Sequence, residues 1–162
     1  LASGRSDQGA GATGSGAIIP FASGTPVAPT TIALGLAGLP AVVAFGTSSV
    51  LPNVLGATID LTGAAGLAAN MSFSVPRDGV ITAVTAYFSV VLALSLIGTD
   101  VSLAPTLSGV ISIGDTASAT LSGLSIPVTV GTRLLLVFSV TASGLSLLNT
   151  ITGYASGGVN IA

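Results

Sequence analysis

The sequence predicts an all-β fold of antiparallel strands, a sandwich or barrel, and three features of it lead there. Its apolar, β-branched runs are short and are cut every few residues by Gly, Pro, Asn or Asp. The 22 glycines and 8 prolines among 162 residues leave few places for a regular helix. Capping boxes and i,i+4 charge pairs, which start and support helices, are scarce. At this length, with half the residues hydrophobic, one domain can bury a sizeable core.

Along the chain, residues 1–16 stand apart. They are mostly Gly, Ala and Ser, carry Arg5 and Asp7, and read as a flexible linker ahead of a head domain spanning residues 17–162. Strands are then expected at Ile18–Ser23, Ala41–Phe45, Thr58–Leu61, Met71–Val75, Ile81–Ser89 and Val90–Ile97. Val101–Leu103, Gly109–Ile113, Ser118–Leu121, Ser125–Val130, Arg133–Thr141, Leu145–Leu148 and Ile151–Ile161 follow. Thr30–Leu36 is a further candidate, although Ile32, Leu34, Leu36 and Leu39 fit a strand no better than a short helix. In Ser118–Ser125 small polar residues alternate with Ala119, Leu121 and Leu124, as on a half-buried strand. Leu134–Phe138 is continuously apolar, which predicts burial on both faces, inside the sandwich or at a subunit contact. No internal repeat stands out.

The composition excludes most chemistry. Three arginines and five aspartates are the only charges, and the chain has no Lys, Glu, His, Cys or Trp. General acid–base and nucleophilic catalysis recruit those missing groups, so an enzyme is not expected and no catalytic residue is assigned. Transition-metal sites want imidazole or thiolate, and no metal or cofactor is expected. Asp60, Asp78, Asp100 and Asp115 lie singly, without the clustered spacing of a calcium loop. Three dispersed arginines cannot neutralise a run of phosphates, so nucleic acid is not a partner.

Mean hydropathy is +0.98, a value nearer membrane proteins than ordinary domains. The uncharged stretch from Gly79 to Thr99 is long enough to cross a bilayer. It is interrupted by Thr82, Thr85, Ser89 and Ser95 and lacks flanking basic clusters, so no transmembrane segment is expected. A protein so poor in charge must instead hide apolar surface between subunits, which predicts an oligomer.

Local features have plain readings. Val75-Pro76-Arg77-Asp78-Gly79 suits a β-turn, with a charged binding loop as the functional alternative. Arg133 fits either a pairing with an aspartate or an edge charge that discourages strand aggregation. Phe21, Phe45, Phe73, Phe88 and Phe138 are expected in the core. Tyr87 and Tyr154 are expected there too, each hydroxyl reaching a partner or water.

Three stretches in order carry a resemblance: Gly16–Gly24 (GAIIPFASG), Phe73–Gly79 (FSVPRDG), and Arg133–Ala142 with Gly153–Gly157 (GYASG). Together they resemble the C-terminal domain of the collagen-like exosporium glycoproteins of bacterial spores, the BclA/BclB type. The resemblance implies an antiparallel jelly-roll sandwich similar to the C1q and tumour-necrosis-factor heads. It also implies a homotrimer that sets the register of a Gly-X-Y stalk ending at Gly11–Gly16, on the spore surface, with other exosporium proteins as neighbours. Ser and Thr would be candidates for O-glycosylation. Only Gly98-Thr99-Asp100 separates two runs that are often farther apart in that family, so one hairpin is expected to be short or missing. The expected function is structural, a trimerising head of a collagen-like filament. The alternatives are an adhesin or lectin-like head and a phage or viral fibre tip.

Overall fold

The computed structural model describes residues 16–54, 70–95, 101–103, 114–142 and 149–162. The expected strands at Thr58–Leu61, Gly109–Ile113 and Leu145–Leu148, and all of the linker but Gly16, lie outside these residues. The all-β expectation is borne out. The strands are β1 (Ala17–Ala22), β2 (Ala41–Val43), β3 (Ser48–Val50), β4 (Phe73–Ser74), β5 (Gly79–Ser95), β6 (Val101–Leu103), β7 (Thr116–Val128), β8 (Arg133–Leu134), β9 (Leu136–Phe138), β10 (Val140–Ala142) and β11 (Asn149–Ile161).

The largest sheet has the order β1-β11-β5-β7, with every neighbour antiparallel. Against it lie shorter ladders built on the chain from Arg133 to Ala142: β8 pairs with β4, β9 with β2 (itself paired with β3), and β10 with β6. The core sits between the two layers. Phe88 of β5 meets Phe138 of β9 with ring centroids 6.1 Å apart, tilted by 42°. Around that pair are Phe21, Val43, Val90, Val140, Ile151, Ala155, Val159 and Ile161, all buried. A smaller cluster of Val42 and Leu51 is closed by Met71 and Leu135.

Strand periodicity explains the layering. In β11 the odd residues Asn149, Ile151, Gly153, Ala155, Val159 and Ile161 are buried, while Thr152 and Ser156 are half-buried and Tyr154 exposed. Gly153 is required by a close approach, because a Cβ there would run into the Ser89 carbonyl and the Phe88 ring.

Several expectations are corrected. Ile81–Ser89 and Val90–Ile97 are one strand through Ser95, because a buried Val90 continues the ladder with β11. Ser118–Leu121 and Ser125–Val130 are likewise one strand, bent where Gly123 adopts φ +72°. Thr30–Leu36 is no strand: Thr30 and Thr31 make isolated bridges, and a 3₁₀ turn follows at Ala33–Gly35. Thr31 Oγ1 accepts the Asn149 N–H at 2.9 Å, which ties this loop to the end of β11. Ser48–Val50, unsignalled in sequence, is a strand because it returns beside β2. Leu134–Phe138 does touch two clusters, Leu134, Leu136 and Phe138 the larger and Leu135 the smaller. It is not buried throughout, since Val137 is 40% exposed.

Candidate functional site: the outer face of the four-stranded sheet

Register places the outward side chains of the large sheet. Tyr87 lies opposite Ser156, and Tyr154 opposite Ser89, so the two tyrosines are diagonal neighbours on adjacent strands. Both belong to the face away from Phe88 and Ala155, and they are 41% and 48% exposed. This corrects the expectation that they lie in the core: strand parity sends residues 87 and 154 outward because 88 and 155 point in.

Around them the face is neutral and rich in hydroxyls. Thr85 and Thr120 share a hydrogen bond between their Oγ1 atoms at 2.9 Å, joining β5 to β7 across the face. Asn160 Nδ2 donates to Thr82 Oγ1 at 2.6 Å, joining β11 to β5. Ile18 of β1 and Leu92 of β5 are exposed apolar residues. No Asp or Arg occurs in Ala17–Ala22, Gly79–Ser95, Thr116–Val128 or Asn149–Ile161, so all four strands are free of formal charge.

Of the charged residues that are described, Arg77, Asp78 and Asp115 flank strands of this sheet, and Arg133 lies in β8 of the opposing layer. Asp78 precedes β5, and its Oδ1 accepts the Val130 N–H at 2.8 Å, tying the turn before β5 to the turn after β7. Arg77 donates from Nη1 to the Asp78 carbonyl at 3.4 Å. The chain bends at Arg77, and the Asp78 carboxylate bonds backbone across to the turn after β7. Asp115 sits at the other end of the sheet, beside Val90. Eleven residues of β5 separate the two ends, about 35 Å at the usual strand rise, so Asp78 and Asp115 cannot share a cation. Asp60 and Asp100 lie outside the described residues. Arg133 donates from Nε to Ser72 Oγ and from Nη1 to Ser74 Oγ, each at 2.6 Å, which fixes it along β4. Among the described residues no three acidic, His or Cys side chains gather as a metal would need. No helix among them is long and apolar enough to cross a membrane.

Of the phenylalanines expected in the core, Phe21, Phe88 and Phe138 are buried and Phe73 packs against them. Phe45 departs from this, at 72% exposed. It follows β2 in a bend whose Gly46 has φ +82°, and with Pro20, Phe21, Ala22 and Gly46 it lines an open apolar cleft of about 280 Å³. Sequence alone gave no sign of this, because an isolated Phe after a buried run reads as the end of that run.

No family model and no solved structure matches the chain. It is similar to Collagen-like protein 1 of Acanthamoeba polyphaga mimivirus, with 35% identity over 182 residues, covering 94% of this chain and 19% of that protein. The chain thus spans about a fifth of the length of the curated relative it matches.

Proposed function

We propose that this domain is a structural one, the trimerising jelly-roll head of a collagen-like filament displayed on an outer surface, with the exosporium of a spore as the leading site. The observation that carries the reading is the charge-free outer face of the four-stranded sheet, with Tyr87 and Tyr154 exposed side by side on it. Tyrosine suits interfaces, offering a large apolar ring with a hydroxyl that tolerates water. Three copies packed through this face bury the tyrosines, Ile18 and Leu92 without desolvating any formal charge, the usual penalty of a buried contact.

The 35% identity to a collagen-like protein supports the filament half of the reading. So does the Gly-X-Y triplet Gly11-Ala12-Thr13 that runs into Gly14-Ser15 just before the head. Such a head is useful to a triple helix because tethering three chains raises their local concentration for winding. The viral origin of that relative also favours a second reading, a fibre tip on a viral particle, which needs the same trimer.

The test is the solution mass of the full chain by light scattering, with and without a chelator. The expected result is a multiple of three 15.4 kDa chains, unchanged by chelation. A monomer in concentrated solution would sink the reading. A trimer that dissociates on chelation would assign assembly to a cation in place of the apolar face.

A further inference from the structure

The four-stranded sheet treats its two edges differently. On β1 the even residues turn their backbone groups away from β11: Ala22 donates to the Ala44 carbonyl at 2.9 Å and accepts from Gly46 at 3.0 Å, whereas Ser23 donates to Ala155 at 2.8 Å. Ala22 is therefore already occupied by the bend after β2. Pro20 holds the next outward position and has no N–H to offer, a common way to blunt a sheet edge.

On β7 such a device comes only near the end of the strand, where Pro127 lacks an N–H, and the stretch before it has none. Gly114 (φ +92°) and Asp115 form a bulge opposite Val90, with Gly114 donating to the Val90 carbonyl at 2.9 Å and Val90 donating to the Asp115 carbonyl at 2.8 Å. That sets the alternation that follows. Ala117, Ala119 and Leu121 turn their backbone groups to β5, and Thr116, Ser118, Thr120 and Ser122 turn theirs to the open edge. Among the described residues no strand pairs with this edge, and Ser118 to Ser122 are all exposed. No charge occurs from Thr116 to Val128, and no proline before Pro127.

We propose that the free edge of β7 is a pairing surface for the β7 of a second copy, antiparallel about a two-fold axis at Ala119. In that register Thr116 lies opposite Ser122, Ser118 opposite Thr120, and Ala117 opposite Leu121. The outward residues supply roughly eight inter-strand hydrogen bonds, and small hydroxyls face small hydroxyls. Leu121, 62% exposed on the inner side of the sheet, lies over the small side chain of the other copy's Ala117. Charge selects the occupant. A charged strand laid here would be desolvated without a counter-charge, whereas a second β7 brings none, and each Asp115 falls at the outer end opposite Gly123. The contact uses an edge and not the tyrosine face, so it stands apart from the trimer reading. Combined with that reading, it joins trimers edge to edge.

The chain has no cysteine, so Ala119→Cys introduces a unique reporter. Ala119 pairs with itself at a non-hydrogen-bonded position, where Cα atoms lie about 4.5 Å apart, within reach of a disulfide. Under mild oxidation the full-length Ala119→Cys protein should run as a covalent dimer on a non-reducing gel. Val130→Cys, exposed in the turn beyond β7, should not. Ser118→Lys places a charge on the edge without altering the backbone; it should abolish the cross-link and halve the mass in light scattering. Cross-linking no greater than that of Val130→Cys, or a mass indifferent to Ser118→Lys, overturns the proposal, and the cysteine pair decides alone if the lysine variant does not fold. A mass falling from six chains to three upholds both readings. A fall from two to one upholds the edge and sinks the trimer, and an uncross-linked trimer does the reverse.

Discussion

At the scale of single residues, stability concentrates where the two layers meet. Phe88 is fully buried, faces Phe138, and has Gly153 directly beside its ring. Phe88→Ala should therefore cost about 3–5 kcal/mol, read from denaturant unfolding, because neither layer can collapse into the hole without losing sheet register. Gly153→Ala adds only a methyl group, yet that methyl points at the Ser89 carbonyl and the same ring. A loss of about 1–3 kcal/mol is expected, as for an overpacked core, and an unchanged unfolding midpoint would show that the strands separate there easily. Asp78 acts differently. Its carboxylate holds the Val130 N–H across two turns, and Asp78→Asn should be tolerated better than Asp78→Ala, which loses about 1 kcal/mol.

At the scale of elements, the two edges of one sheet carry the argument. Pro20 withholds an N–H at an outward position of β1, so Pro20→Val should restore the missing donor on that edge. The expected result is a concentration-dependent rise in scattering at unchanged far-ultraviolet dichroism. A variant that stays as soluble as the parent would mean that the Phe45 bend protects the edge by itself. How far elements could be read in sequence follows from how they are stabilised. β1, β2 and β11 were legible because their apolar spacing matches the sheet they join. The split of β5 into two runs was not, since Ser89 read as a break and is in truth an outward residue opposite Tyr154. β3 carries no apolar alternation at all and exists because β2 offers it a ladder.

At the scale of the whole molecule, the arrangement of charge matters more than its amount. The four strands of the large sheet carry no formal charge, which leaves a face that another copy can cover. Tyr87→Arg should then break the proposed trimer in light scattering while leaving the fold and any β7 edge pairing intact, because three like charges would meet in one contact. Assembly should also be indifferent to salt between low and physiological ionic strength, since screening acts on charges that this contact does not have. Dissociation by salt would place the subunit contact elsewhere, at the Arg77 or Arg133 end of the head.

Composition by itself determined the fold class and which reactive side chains the chain can bring, with no His, Cys, Lys or Glu among them. Those conclusions depend only on which residue types are present, and no folding can supply a histidine or a lysine that the chain lacks. Tertiary structure decided the direction in which each side chain points. Tyr87 and Tyr154 look like core residues until strand parity, set by Phe88 and Ala155, turns them outward together. Phe45 looks like the last residue of a buried run until Gly46 bends the chain away from the core. The open edge of β7 and the blunted edge of β1 were likewise invisible beforehand. An edge is defined by the strand that is not beside it, and only the pairing order of the folded sheet says which that is.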